Sequence, residues 1–296
     1  MEPIRNRYEF IVLFDVENGN PNGDPDAGNM PRTDAETGLG IVTDVCLKRK
    51  IRNYVELVKE GEPGYNILIK TDKALNDKFT AAHTALGHTA SKKSPTERAA
   101  ACKYMCENYY DVRTFGAVMS TGEKGDSCSC GIVRGPVQIG FARSMDPVFP
   151  QELTITRQAI TKPEKLIKNS DKNGVITEFG KKTIVPYGLY RAEGYVSAML
   201  AQKSTGFSEE DLELLWEAII NMFEHDHSAA RGKMCVRALY VFKHDSVLGN
   251  APSVELFEKV KVAKKDGVAY PRTYSDYIVT VDEDMPSGVT LNRKRG

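Results

Sequence analysis

Neither sign of charge is in excess: 40 basic residues meet 40 acidic ones across 296 positions. A neutral balance gives no global pull toward nucleic acid or an anionic surface, so any such site has to come from local clustering. No apolar run is long enough to cross a membrane. The opening MEPIRNRYEF has no apolar signal region, so a cytoplasmic protein is the expectation. G-x-x-x-x-G-K-[ST], G-x-S-x-G and H-E-x-x-H are missing, which removes the common nucleotide-binding, hydrolase and zinc-protease signatures. His83 and His88 are five apart and His225 and His227 two apart, poor spacings for a metal pair on one helical face, and the first pair reads as surface. Cys102 and Cys106 lie one helical turn apart and Cys128 and Cys130 share a GDSCSCG loop, which is not a zinc-ribbon pattern; with Cys46 and Cys235 they are expected to be reduced. No catalytic residue, metal or cofactor is assigned.

What the chain does have is a long turn-rich stretch, Asp15 to Arg32 (DVENGNPNGDPDAGNMPR). Gly and Asn reach positive φ cheaply and Pro fixes φ, so this is a chain of turns tied by its own side chains and a candidate binding surface. Asp24, Asp26 and Asp34 could gather around a metal ion, although Pro21, Pro25 and Pro31 hold them apart in sequence. Before the stretch, Tyr8 to Val16 alternates as a strand with apolar centres on both faces. After it, Thr43 or Asp44 caps a helix running to about Lys59, with Leu47, Ile51, Tyr54, Val55 and Val58 as its buried stripe. Lys48, Arg49, Lys50 and Arg52 crowd what reads as its exposed side, balanced only by Glu56, and would suit a phosphate backbone.

Residues 66–70 read as a short strand and 72–110 as a helical insertion interrupted by SKKSP. The centre is strand-rich: Asp111 to Gly122, Gly131 to Ser144 and Leu153 to Ala159. Lys-rich residues 160–183 read as a protruding hairpin with a turn at Asp171 to Gly174, although composition suits a surface loop equally well. Ser208 caps the clearest helix, with Leu212, Leu215, Trp216, Ile219, Ile220 and Phe223 inward. Cys235 to Phe242 is the last strong strand, and Asn292 to Arg295 reads as a mobile basic tail. Stripped of insertions the order approximates βαββαβ, which would offer an open sheet face to single-stranded RNA.

At this point DVENGNPNGDPDAGNMPRTD, DVRTFGAV (111–118), RGPVQIGFARSMDPVFPQELTITR (134–157), IVPYGLYRAEGYVSAML (184–200) and FEHDHSAARGKM (223–234) together resemble the Cas-seven family. This family supplies the backbone subunit of type I CRISPR Cascade complexes, and the type I-C branch looks nearest. The resemblance implies an α+β fold: a modified RNA-recognition-motif (ferredoxin-like) palm from 1–60, 131–159 and 184–250, with helical fingers at 61–130. A β-hairpin thumb at 160–183 and a C-terminal extension at 251–296 complete it. It implies a non-catalytic subunit that stacks with copies of itself along guide crRNA and kinks it periodically, so that the spacer pairs with target DNA. Further partners would be Cascade subunits of the Cas-five, Cas-eight and small-subunit types, with no membrane. By position, RNA contact falls on Asn20, Asn22, Arg32, Lys48, Arg49, Arg52, Arg113, Arg134, Gln138, Arg143, Arg191 and Arg231. Leu166, Ile167, Val175, Ile176 and Phe179 are candidates for the thumb wedge. Sequence-independent grip favours phosphate and 2′-OH contacts over base reading. Two alternatives stay open: a metal-dependent RNA endonuclease using Asp24, Asp26 or Asp34, and an oligomerising structural protein without RNA.

Overall fold

The alternation after Tyr8 forms β1 (Tyr8–Gly19), and its apolar residues on both faces place it inside a sheet. The computed structural model describes residues 2–88, 94–120, 128–157 and 178–296. After β1 come β2 (Leu39–Val42), α1 (Asp44–Val58), α2 (Leu75–Ala85), α3 (Pro95–Asn108) and α4 (Tyr110–Phe115). The centre holds β3 (Gly116–Met119), β4 (Gly131–Arg134), β5 (Val137–Ile139), β6 (Ala142–Pro147), β7 (Gln151–Arg157) and β8 (Glu178–Val196). Then follow α5 (Glu209–Asn221), β9 (Lys233–His244), α6 (Ser253–Glu258), β10 (Val260–Lys264), β11 (Tyr277–Val281) and β12 (Val289–Arg295).

The main sheet runs β12-β9-β1-β8-β6-β2, with β5 and β7 also paired to β8. Its described pairs are antiparallel, and β9-β1-β8-β6 is the strand order of a βαββαβ core. Helices α1 and α5 cover one face. Thr43 caps α1 by accepting from Cys46 N, and Ser208 forms a capping box with Asp211 at the start of α5. Beneath them lie Phe10, Val12, Phe14 and Val16, with Trp216 edge-to-face on Phe10 at 5.2 Å. Burying Leu47, Ile51 and Val55 of α1 on this face contributes about 1.5–3 kcal/mol each.

The opposite face is not open. Ile11, Leu13, Leu189, Tyr240 and Phe242 need cover as well, and Leu256, Phe257, Val260 and Tyr277 from beyond residue 250 supply it. RNA cannot lie flat on this sheet. Arg191 pins the cover, donating to Val260 O (2.7 Å) and Phe257 O (2.8 Å), so its guanidinium is spent inside the fold. The basic tail is not mobile either: Val289 and Leu291 alternate onto the same apolar cluster, making β12 an edge strand paired with β9. Its outward Arg293 and Lys294 pair with Glu283 and Glu213, the charged edge that keeps a terminal strand from pairing with strangers.

Residues 66–70 form no strand, only an isolated bridge from Asn66 to Tyr109. The stretch from Asp111 begins as the helix α4 rather than as strand, because Asp111 and Arg113 each find a buried partner there. Asp111 accepts from Leu68 N (2.8 Å), Ile69 N (3.1 Å) and Arg52 Nε (2.8 Å). Arg113 grips Asp211 through Nε (2.8 Å) and Nη2 (2.7 Å) and donates to Cys106 O (2.8 Å). Around α2 and α3 a separate apolar cluster forms from Leu68, Phe79, Ala101, Met105 and Met119. His83 belongs inside it, not at the surface: it is buried, with Nδ1 2.9 Å from His88 Nδ1 and Nε2 3.1 Å from Ser129 O.

The β7–β8 ladder pairs Gln151 with Ile184 and Arg157 with Glu178, so the hairpin starts earlier than residue 160. Leu166, Ile167, Val175 and Ile176 lie outside the described residues; Phe179, opposite Thr156, is exposed. Among the described residues no helix is long and apolar enough to cross a membrane.

Arg191→Ala removes two charge-assisted hydrogen bonds, each of about 1.5–3 kcal/mol. Amide hydrogen exchange should quicken across residues 253–264 while β1 keeps its protection. Unchanged exchange in α6 and β10 would show that apolar packing alone holds the cover.

Candidate nucleic-acid interface

The turn-rich stretch leaves the sheet at Gly19, where a side chain has no room. A Cβ there would fall 1.8 Å from Arg231 O, and one on Gly232 (φ +62°) would fall 2.4 Å from Asn18 O. This close approach lets Asn20 N donate to Ala230 O (2.8 Å), so the loop and the 226–232 turn form one unit. Asn18 and Asn29 take positive φ, as the composition promised. Asn20 Nδ2 closes the loop on Asn29 O (2.7 Å). Asn22 is spent holding helix α1: its Oδ1 accepts from both N and Oγ1 of Thr43, each at 2.9 Å. Two polar atoms in the loop, Asn20 Oδ1 and Arg32 Nε, are buried without a hydrogen-bond partner. In a native fold such orphans call for a ligand or water.

The basic turn of α1 lies against this unit, but it is not a solvated face. Lys50 is buried and paired with Asp226, which also takes Arg231. Arg52 is buried against Asp111, and its guanidinium lies 5.2 Å from the centre of the Phe115 ring. Lys48 pairs with Asp44 at 2.9 Å and faces the same ring at 5.6 Å. Glu56, the one acid the sequence offered as balance, pairs with Lys70 instead. Arg49 is half-buried, and no described residue forms an ion pair with it. Burial and then the neighbouring Arg52 lower its pKa. It stays charged at neutral pH, and an anion set against it would gain.

The remaining sequence candidates scatter. Arg113 and Arg191 are consumed inside the fold, as described above. Arg134 and Gln138 are exposed on β4 and β5, with Gln138 Nε2 donating to Gly135 O at 3.3 Å. Arg143, exposed on β6, pairs with Asp34 at 3.1 Å. Asp24 accepts from Asp26 N (3.2 Å) and faces Arg32 at 3.4 Å. Asp34 accepts from Glu36 N (3.0 Å), which with Arg143 lowers its pKa. The three carboxylates are therefore not gathered, and no metal-holding group of His, Cys, Asp and Glu occurs among the described residues. Sequence reasoning missed Asp111, Asp211 and Asp226 as the partners of the basic residues, and Phe115 as the ring beneath two of them. No disulfide joins any of the six cysteines among the described residues.

The strand order, with two helices on one face, defines an α+β fold of the RNA-recognition-motif type. The chain belongs to the Cas7 family: the family model for CRISPR-associated protein Cas7 matches residues 6–282. A relative from Haloferax volcanii, itself described as CRISPR-associated protein Cas7, is 26% identical over 232 residues. That match covers 73% of this chain and 65% of the relative, so the chain spans just under two thirds of its length. A chain from a CRISPR RNA-guided surveillance complex, pre-nicking, superposes with a TM-score of 0.50 at 15% identity. The superposition covers 89% of this chain and 84% of that one, and at this identity the likeness is one of fold.

Asp226→Ala should cost about 3–5 kcal/mol in denaturant unfolding, because it leaves Lys50 buried and unpaired. Adding Lys50→Met should restore most of the loss. Equal instability of the single and double variants would mean that Asp226 acts through Arg231 alone. A second expectation concerns Cys102, whose thiol is lowered to about 7 because Cys106 donates a hydrogen bond to it. A lowered pKa raises its thiolate share, whereas burial pushes the Cys46 thiol up. Mass-spectrometric iodoacetamide labelling should therefore modify Cys102 well before Cys46 at pH 7, and Cys106→Ala, which removes the donor, should slow it.

Proposed function

We propose that the chain is a non-catalytic backbone subunit of a type I Cascade complex, of the type I-C branch, that stacks with its own copies along guide crRNA. One observation carries the reading beyond family membership. The opening loop, the basic turn of α1 and the 226–232 turn, remote in sequence, are locked into one unit at one end of the sheet, with two orphaned polar atoms and an unpaired arginine. The palm corresponds to the main sheet with α1 and α5, the fingers to 61–130 and the thumb to the hairpin beyond β7. The covered sheet face moves the groove from the sheet surface to this end. Guide contact is assigned at this end to Asn20, Arg32, Lys48, Arg49, Arg143 and Arg231, and separately to Arg134 and Gln138 toward the other end of β8, where Gln138 pairs with Tyr195. Lys50, Arg52, Arg113 and Arg191 serve the fold that positions them. Phosphate and 2′-OH contacts from such groups grip any spacer and leave base edges free to pair with target DNA. Cas-five-, Cas-eight- and small-subunit-type proteins would complete the assembly.

Co-expression with those partners and a CRISPR array should yield protein carrying RNA of uniform length. Arg49→Ala and Arg134→Ala should each weaken RNA binding across all spacer sequences and lower the salt slope by about one. A nucleic-acid-free monomer from the same co-expression would sink the reading.

A further inference from the structure

Two aromatic rings stand in solvent at the root of the β7–β8 hairpin. Phe149, just before β7, is 62% exposed, and Tyr270, in the connection from β10 to β11, is 69% exposed. They meet edge to face, with ring centres 6.2 Å apart and planes at 77°. Between them and the sheet lies a recess of about 230 Å³, walled by Pro147, Pro186, Tyr187 and Tyr277. Its one wall carboxylate, Asp146, is already neutralised: Lys264 approaches at 3.0 Å and the Tyr277 hydroxyl donates at 2.8 Å. Arg272 lines the recess, is exposed, and forms no ion pair with a described residue.

Chemistry and size narrow the occupant. The volume falls below the roughly 300–1,000 Å³ of drug-sized sites, so it admits one flat ring rather than a whole nucleotide. Two aromatic faces beside an unpaired guanidinium suit a π-system attached to an anionic chain, because stacking and cation–π attraction then act together. An aliphatic peptide side chain would use the rings but not the arginine. Location agrees: Tyr187 in the recess wall pairs with Glu17, next to the Gly19–Val185 pair where the opening loop departs, and Gln151 pairs with Ile184 at the hairpin base. The recess and the candidate interface thus share one end of the sheet.

We propose that Phe149, Tyr270 and Arg272 form a stacking site for a single unstacked nucleobase of a single-stranded nucleic acid. The assignment rests on the nucleic-acid-binding reading above. Guide RNA and a DNA strand share the chemistry, and the test separates them.

The full chain would be titrated against fluorescent, unstructured single-stranded RNA and DNA oligonucleotides of one sequence at several salt concentrations. The double variant Phe149→Ala/Tyr270→Ala should bind at least one of them about tenfold more weakly with the salt slope unchanged, since stacking releases no counterions. Loss confined to RNA identifies the guide as the source; loss confined to DNA, or shared, identifies a DNA strand as able to enter. The exposed rings make folding defects avoidable: thermal unfolding should match wild type, and Phe149→Tyr/Tyr270→Phe should restore affinity. Wild-type binding that is strong and equal in the double variant would overturn the stacking site and leave the RNA-binding reading intact. Unchanged affinity with impaired self-association would assign the recess to protein docking and overturn it too. A wild-type chain that binds neither oligonucleotide would overturn the RNA-binding reading and the stacking site together.

Discussion

Two buried ion pairs, rooted two residues apart on one short helix, set the geometry of everything around them. Asp111 of α4 reaches Arg52 of α1 and the backbone of residues 68–69; Arg113 of the same helix reaches Asp211 in the first turn of α5. Asp211 also accepts from Ser208 N at 2.9 Å, so the cap of α5 and the grip of Arg113 share one carboxylate. Desolvating such groups costs about as much as their attraction returns, so the pairs are poor sources of net stability. Their bidentate and multiply hydrogen-bonded geometry is demanding, however, and admits one arrangement of α1, α4 and α5. Fixing α1 fixes Thr43, which fixes Asn22, and through it the opening loop. The loop that looks like an independent binding element is held by charges buried well away from it.

Covering the second sheet face has the next largest consequence. An RNA-recognition-type sheet with one bare face would offer aromatic side chains directly to bases. Here Tyr240 and Phe242 lie under α6 and β10, with Arg191 as the clamp. The opening loop, the 226–232 turn and the β7–β8 hairpin all project from one end of the sheet. Concentrating these at one end suits the proposed role of a subunit whose identical copies repeat along a strand.

Much of this was legible in the residues and some was not, for definable reasons. Strand β1 announces itself through period-two alternation on both faces, and α1 and α5 through apolar stripes started by Thr43 and Ser208. These are local signals, complete within one element. The fate of a charge is not local: Lys50 meets Asp226 across 176 positions and Arg113 meets Asp211 across 98. Nothing in the spacing of K-R-K-I-R distinguishes the buried Lys50 from the half-buried Arg49 beside it. The last strand is a different kind of miss, since Val289 and Leu291 do alternate and the basic residues after them drew attention away. For α4 the alternating D-V-R-T-F pattern pointed to strand, and tertiary pairing of Asp111 and Arg113 overrode it.

The zero net charge now has a structural meaning. Carboxylates are not spread as a neutralising coat; they are stationed against particular cations, Asp226 against Lys50 and Arg231, Asp44 against Lys48, Asp34 against Arg143. Hydrogen bonds from Glu36 N and Arg143 lower the Asp34 pKa, so a phosphate approaching Arg143 must compete with a carboxylate already in place. Arg49 has no such rival, and it carries the opposite strain: burial and Arg52 both disfavour its charge. A phosphate placed there relieves repulsion instead of replacing an existing pair. If the rim binds RNA as proposed, its affinity is set by its few uncommitted cations, and the paired ones act chiefly as positioning struts.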